Sequence, residues 1–275
     1  MNGREKSDPG VVAVKPANKA GLPAAEWVEP RTGTEGKAIQ QSAFRTQGRG
    51  DASQALERIR QAARRNRKEK FTALLHHVTV ERLEEAFRGV AKDAAAGVDG
   101  VTWRDYEADL ERKLEDLHRR VQSGGYRATP SRRVYIPKPD GGQRPLAVAA
   151  LEDKIVQRAV VDVLNAIYEE DFLGFSYGFR PGRGAHDALD ALATAIGRSR
   201  VNYIVDADIA KFFDSVSRDW LARFLEHRIG DKRVLRLIQK WLRAGVWEDG
   251  RIEVPERGMG QGAAISPLLA NVYLH

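Results

Sequence analysis

Apolar residues recur at helical spacing between residues 52 and 122. Side chains three and four positions apart share one face of a helix, so this spacing predicts helices that each bury one stripe. We predict helices over residues 52–70, 80–90 and 103–122, and the pair Gly124-Gly125 ends the third of them.

The pattern changes to that of short strands after residue 131. Residues 132–136 and 144–148 are predicted strands, and Asp140-Gly141 between them favours a hairpin turn. Residues 202–209 are predicted to form a core strand. Helices and strands mix without strict alternation, which predicts an α+β fold. The remaining predicted elements are helices over residues 152–168, 185–196, 218–229, 231–244 and from 266 onward, and a small hairpin over residues 247–254.

Composition separates the first 50 residues from the rest of the chain. They are rich in Gly, Pro, Ala, Ser, Thr and charged residues and lack hydrophobic periodicity, which predicts a disordered basic arm. The whole chain has 45 Lys and Arg against 38 Asp and Glu, a net charge of +7 and a pI near 9.6. That balance favours an anionic partner, of which nucleic acid is the commonest.

Several protein classes are excluded by what the sequence lacks. The chain has no cysteine, which excludes disulfides, thiolate metal sites and a cysteine nucleophile. No apolar run approaches the ~20 residues that a membrane span needs, and no apolar stretch follows the N-terminus as it does in a signal peptide. We interpret the protein as cytoplasmic, with no membrane partner.

Cations crowd the end of the first predicted helix. They form a solvated helix face or contact the backbone of RNA or DNA, where each Lys or Arg on a phosphate releases counterions. The sequence alone leaves both interpretations open. The cations are Arg58, Arg60, Arg64, Arg65, Arg67, Lys68 and Lys70.

Carboxylates cluster at the end of the predicted core strand. Asp206 and Asp208 would share one face of that strand, and Asp214 follows the next turn. Because Mg²⁺ takes oxygen ligands, carboxylates here predict a metal site in a cleft above the sheet. Two such metals clamp the attacking and leaving oxygens of a phosphoryl transfer. Asp206 and Asp214 fit equally well as a turn cap and an exposed acid.

Two further segments have ligand-binding chemistry. Residues 258–262 carry three glycines, which let the backbone approach a ligand closely, and Ser266-Pro267 then opens a helix. Lys138 and Arg144 flank the predicted hairpin turn, where two cations can grip a triphosphate. Taken singly, each segment also fits a structural role, as a loop before a capped helix and as solvated hairpin charges.

Together these segments resemble a reverse transcriptase of the group II intron type, over about residues 50–275. The resemblance implies the fingers and partial palm of a right-hand polymerase at residues 126–275. It also implies an N-terminal helical extension over residues 51–125, which follows the arm of residues 1–50 in the sequence. The matching blocks are Ala-Gly-Val-Asp-Gly at 96–100, Ile-Pro-Lys-Pro-Asp-Gly at 136–141 with Arg-Pro-Leu at 144–146 and Asp-Lys-Ile-Val-Gln at 153–157, Ser-Tyr-Gly-Phe-Arg-Pro-Gly-Arg-Gly-Ala-His at 176–186, Asp-Ile-Ala-Lys-Phe-Phe-Asp at 208–214, and residues 258–271.

The resemblance implies a role for individual residues. Asp208 and the Ile209 carbonyl would bind Mg²⁺ in a two-metal site. Phe213 would exclude a 2′-OH and so favour dNTPs. Lys138 and Arg144 would hold the triphosphate, and Gln261 would touch the nucleotide and the template. The implied RNA contacts are Arg58, Arg64, Arg65, Arg67, Lys68 and Arg180. The implied partners are group II intron RNA, an RNA template with a DNA primer, and dNTPs.

Two departures from the family pattern matter. Gly260 stands where the family usually has Pro, which should loosen the loop before Gln261. The Tyr-Ala-Asp-Asp motif that would complete the two-metal site is missing from these 275 residues. We therefore expect this chain alone not to polymerise DNA, because electrostatic stabilisation is often the largest catalytic term. The alternatives are a non-catalytic RNA-binding maturase remnant, a broken fragment, and a relative that serves phage defence or a CRISPR locus.

Overall fold

The structure is a computed structural model that describes the backbone of residues 43–139 and 141–275, with side chains from residue 52 onward. All of these residues belong to one compact unit, Glu35–His275. The arm predicted for residues 1–50 lies outside the described residues as far as residue 42. The first helix begins at Ala43, earlier than predicted.

The longer helices and the two hairpins follow the predicted order with shifted ends. The helices are α1 (Ala43–Arg65), α2 (Val80–Arg88), α3 (Trp103–Glu107), α4 (Leu110–Ser123), α5 (Leu151–Asp171), α6 (Ala185–Arg198), α7 (Phe212–Ser215), α8 (Arg218–Arg228), α9 (Lys232–Arg243) and α10 (Ser266–Leu274). The strands are β1 (Ser131–Pro137), β2 (Gln143–Val148), β3 (Val246–Glu248) and β4 (Arg251–Glu253), and a short 3₁₀ turn spans Leu75–His77.

Local capping chemistry explains where the N-terminal helices begin and end. The predicted helix over residues 103–122 is two helices, because Asp109 has a non-helical backbone and starts α4 anew. Thr102 and Asp105 form a capping box at the start of α3. Gly124 ends α4 with φ of 81°, a left-handed conformation that glycine adopts without a Cβ clash.

Helix α5 is the centre of the hydrophobic core. It packs against α1 and α2 on one side and against α10 on another. Its side chains Ile155, Leu164 and Ile167 are fully buried, and burying an aliphatic side chain contributes about 1.5–3 kcal/mol. Among the described residues, no helix is both long enough and apolar enough to cross a membrane.

A four-stranded sheet lies beside this helical core, in the order β2-β1-β3-β4. Strands β1 and β2 form the predicted antiparallel hairpin, and β3 and β4 form the second one. Strand β1 pairs with β3 in parallel, through Ser131 with Val246 and Arg132 with Trp247. The α+β class is confirmed. The domain boundary at residue 125 stays a prediction.

The predicted core strand over residues 202–209 is wrong. These residues form no strand and are exposed, including Tyr203 at 89% exposure. Helix α6 before them also buries no side chain. The apolar pattern is real, but a strand forms only where a second backbone accepts and donates its hydrogen bonds. None of the four described strands pairs with this segment.

Candidate functional site

The β1–β2 hairpin carries Lys138 and Arg144 beside its turn. Arg144 pairs with Ile136 in the strand register, and the Lys138 N–H donates to the Gly142 carbonyl at 2.7 Å. Both cationic side chains are exposed. Strand pairing therefore fixes the positions of the two cations relative to each other.

Residues 258–264 form a loop that we call the glycine loop. It is hydrogen-bonded both to this hairpin and to α7, the short helix that contains Phe213. The Ala147 N–H of β2 donates to the Gln261 carbonyl at 2.8 Å, and the Met259 N–H donates to the Phe213 carbonyl at 2.8 Å. The loop thus brings Gln261 and Phe213, two of the predicted nucleotide contacts, into one region next to β2.

Glycine is required at two positions of this loop. Gly258 has φ of 84°, and a Cβ there would lie 2.8 Å from the Phe213 carbonyl oxygen. Gly262 has φ of 105°, and a Cβ there would lie 3.2 Å from the Ala147 carbonyl oxygen. Contacts this short between a side chain and backbone force the backbone to move. The glycines therefore allow the loop to lie directly against its two neighbours.

The block at residues 96–100 lies against the start of α5 and β1. Arg132 Nη2 donates to the Ala96 carbonyl at 2.8 Å, and Lys154 Nζ donates to the Ala95 carbonyl at 2.7 Å. A Cβ on Gly97 would lie 2.5 Å from the Ala150 Cα. The block therefore supports the base of the hairpin, through two cations, Arg132 and Lys154, that were not among the predicted site residues.

A cleft opens between the hairpin, the start of α5 and the glycine loop. Arg218 Nε donates to the Gly258 carbonyl at 2.9 Å and so holds the loop from the other side. Burial and the charge of Arg243 lower the pKa of Arg218. The charged and amide side chains that line the cleft are Arg133, Asp153, Gln157, Asp214, Arg218, Arg257 and Gln261. Sequence reasoning missed Gln157 and Asp153 as lining residues, although their four-residue spacing in a helix puts them on one face.

Asp153 is part of a buried polar network beneath the hairpin. The Tyr126 hydroxyl donates to Asp153 and accepts from Trp241 Nε1 at 2.8 Å, and the Thr129 N–H donates to Asp153 at 3.0 Å. Burial raises the pKa of Asp153 to about 6, against the opposing effect of the bonds from Tyr126 and Thr129. The network ties α5, α9 and the segment before β1, which contains Tyr126 and Thr129, together.

Asp208 and Ile209 lie in the exposed segment before α7 rather than on a strand. Lys211, with φ of 51°, is the residue immediately before α7, and Phe213 and Asp214 lie on that helix. Phe213 packs against the core, whereas no hydrogen bond within the described residues holds Asp208. The structure thus fixes Phe213 but leaves Asp208 without a fixed partner.

The oxygen donors of Asp208 and Ile209 suit Mg²⁺ chemically, because this ion prefers carboxylate and carbonyl ligands. Within the described part of the chain, however, no group of three or more His, Cys, Asp or Glu side chains is placed to hold a metal ion. Asp208 with the Ile209 carbonyl therefore fits one part of a magnesium site and does not form a whole site.

The predicted RNA-contacting cations fall into two groups. Arg58, Arg65, Arg67 and Lys68 are exposed. Arg64 is exposed too, but it donates to Glu170 at 2.9 and 3.1 Å, and this ion pair lowers the pKa of Glu170. Arg180 is buried and bonds Glu169 and the carbonyls of Leu173 and Ser176. In this conformation Arg180 is a structural residue of its loop.

The hairpin, the glycine loop and helix α7 contain the four predicted nucleotide contacts, Lys138, Arg144, Gln261 and Phe213. Residues 136–275 match the family described as reverse transcriptase (RNA-dependent DNA polymerase). The chain belongs to this family, and the predicted resemblance is confirmed.

Three relatives illustrate the match. Protein YkfC of Escherichia coli (strain K12) is 40% identical over 182 residues, which is 65% of this chain and 48% of that protein. The group II intron-encoded protein LtrA of Lactococcus lactis subsp. cremoris is 33% identical over 222 residues, 80% of this chain and 37% of LtrA. An uncharacterized 91 kDa protein in the cob intron of Schizosaccharomyces pombe is 39% identical over 162 residues, 59% of this chain and 20% of that protein. The chain thus spans less than half the length of each of these relatives.

Proposed function

We propose that this chain supplies the nucleotide- and template-binding part of a group II intron reverse transcriptase. The reaction class is the attack of a primer 3′-OH on the α-phosphate of a dNTP, directed by an RNA template. The observation that carries this proposal is the glycine loop, which links Gln261 to the hairpin and to Phe213 by backbone hydrogen bonds.

The proposed roles are those that the family resemblance implies for these residues. Lys138 and Arg144 hold the triphosphate, since Arg binds phosphate oxygens in pairs and Lys acts as a point charge. Phe213 contacts the sugar and rejects a 2′-OH, and Gln261 contacts the nucleotide. Asp208 with the Ile209 carbonyl would contribute to a Mg²⁺ site, where the ion supplies charge stabilisation to phosphoryl transfer. The proposed compartment is the cytoplasm.

Photo-crosslinking with a radiolabelled azido-dNTP tests the nucleotide site on the 275-residue chain. We expect labelling of the wild type and clearly weaker labelling of Lys138→Ala and Arg144→Ala, because each removes a phosphate partner. Lys232→Ala, an exposed cation at the start of α9, is the matched control and should label normally. Equal labelling of all four proteins would contradict the nucleotide site.

A second function, RNA binding without catalysis, is favoured by the exposed cations at the end of α1. Each phosphate contact that is lost should reduce the slope of log K against log salt by about 0.7 for a single strand. Charge reversal at Arg64, Arg65 and Arg67 should therefore weaken binding of intron RNA and flatten its salt dependence. This second function replaces the first if no dNTP is labelled at all and Asp208→Ala leaves RNA binding unchanged.

A further inference from the structure

The segment after α5, residues 172–184, displays aromatic side chains to solvent. We call it the aromatic loop. Phe175 is 76% exposed and Phe179 is 62% exposed, and Tyr177 lies between them. Exposed aromatic rings close together in sequence are unusual on a protein surface, where single apolar residues are normal and clusters mark binding sites. None of the roles proposed above uses them.

The aromatic loop is held rigid from inside. Arg180 is buried and donates to the carbonyls of Leu173 and Ser176 at 2.7 and 2.9 Å, while its other nitrogens bond Glu169. Arg183 bonds the Gly174 carbonyl, and Asn271 Nδ2 donates to the Gly178 carbonyl at 2.9 Å. The exposed rings therefore project from an ordered backbone rather than from a mobile one.

Phe179 is held in an unfavourable backbone conformation. Its φ is 56°, in the left-handed region that a bulky residue rarely adopts. Such conformations cost on the order of 1–3 kcal/mol and persist where the surrounding structure enforces them, often at functional sites. The bonds of Arg180 and Asn271 on either side of Phe179 provide that enforcement. The ring is exposed despite this cost.

The aromatic loop is anchored next to the cations of α1. Three consecutive acids end α5, and each bonds a different arginine. Glu169 bonds Arg180 of the loop, and Glu170 bonds Arg64 of α1. Acids are unfavourable at the C-terminal end of a helix, so these arginines also offset the local negative charge. Arg65, Arg67 and Lys68, exposed cations, follow Arg64 directly.

From this arrangement we infer that Phe175 and Phe179 form a stacking platform for unpaired bases of a single-stranded RNA whose phosphates contact the neighbouring cations. Base stacking on aromatic rings combined with a basic surface is how single strands are bound without sequence preference. A rigid platform loses little entropy when a base stacks on it. The inference deepens the proposed function and rests on its RNA-binding part.

The test compares two 12-nucleotide probes by fluorescence anisotropy, a single-stranded RNA and an abasic oligomer with the same number of phosphates. We expect the wild type to bind the RNA more tightly than the abasic oligomer. Phe175→Ala/Phe179→Ala should lose this preference, with RNA binding weakened on the order of 5- to 100-fold. Binding of the abasic oligomer should not change. Trp220→Ala, an exposed aromatic on α8, is the matched control.

Two further variants separate stacking from apolar docking. Phe179→Trp should retain the preference for the base-bearing RNA, and Phe179→Leu should reduce it although it keeps apolar volume. Equal affinity of the wild type for both probes, or full retention by Phe179→Leu, overturns the inference. If charge reversal at Arg64, Arg65 and Arg67 weakens both probes equally while the double variant changes nothing, RNA binding stands and the platform is wrong. If neither probe binds at low salt, the RNA-binding proposal itself fails.

Discussion

The buried network around Tyr126 allows a quantitative prediction for Tyr126→Phe. The Tyr126 hydroxyl is fully buried, donates to Asp153 and accepts from Trp241 Nε1 at 2.8 Å. Its removal eliminates a hydrogen bond to an ionisable group, worth about 1.5–3 kcal/mol, and leaves an indole N–H unpaired, at a cost of about 1–3 kcal/mol. Because Trp241 is only partly buried, water can bond the indole, and the expected loss at pH 7 is about 2–4 kcal/mol.

The pH dependence of this loss gives a second test. The folded-state pKa of Asp153 is about 6, above the ordinary value of 3.8. The folded protein therefore retains this proton longer than the unfolded chain, and stability falls as the pH rises from about 4 to 6. At about 1.4 kcal/mol per pKa unit, the fall amounts to about 3 kcal/mol. The Tyr126 hydroxyl opposes the raised pKa, so without it the fall should extend to higher pH.

The assay is urea unfolding at pH 4.5 and pH 7.5, with the free energy of unfolding extrapolated to water. Tyr168→Phe is a matched control, because its hydroxyl is also buried but has no hydrogen-bond partner in the described structure. We expect the control to lose no stability, because it removes a buried hydroxyl that has no partner within the described residues and whose burial costs about 1–3 kcal/mol. A loss for Tyr126→Phe that is below 1 kcal/mol, or that is equal at both pH values, would refute the reasoning.

Three further predictions concern other parts of the fold. Gly258→Ala should lower the free energy of unfolding by more than about 2 kcal/mol in calorimetry, since a Cβ there would lie 2.8 Å from the Phe213 carbonyl oxygen, whereas Gly197→Ala in open space should not. Burial alone would raise the pKa of Asp231, but hydrogen bonds from backbone N–H groups and a guanidinium set it at about 2. Its contribution is thus present above pH 4 and lost as the pH falls through 2, so the destabilisation by Asp231→Asn in urea unfolding should disappear near pH 2. Arg180→Lys should open the aromatic loop to limited proteolysis, because a lysine cannot replace the separate bonds of the guanidinium; an unchanged cleavage pattern would contradict this role.

Sequence patterns predicted the elements whose stability is local. The β1–β2 hairpin follows from its Asp-Gly turn, and α4 ends at the predicted Gly124 because glycine alone adopts its conformation easily. The order of the helices and the α+β class follow from hydrophobic spacing. The blocks at residues 136–141 and 258–271 likewise predicted the family, because motif order does not depend on packing.

Residues 202–209 show where the pattern was insufficient. Their apolar run is typical of a strand, yet a strand also requires a paired backbone edge, which no local pattern specifies. The role of Asp208 stays a prediction for the same reason, since its site depends on what lies beside that segment. The split of the predicted helix over residues 103–122 is a smaller case, in which the non-helical backbone of Asp109 interrupts the periodic pattern.

The sequence by itself thus determined the local elements, the basic charge and the family of this protein. Only the tertiary structure decided which cations are available at the surface. Arg180 and Lys68 are both cations in segments predicted to bind RNA. Arg180 is buried and forms an ion pair with Glu169, whereas Lys68 is exposed. The physical reason is that burial and ion pairing arise between residues distant in the chain, such as Arg64 and Glu170, and spacing along the sequence carries no record of them.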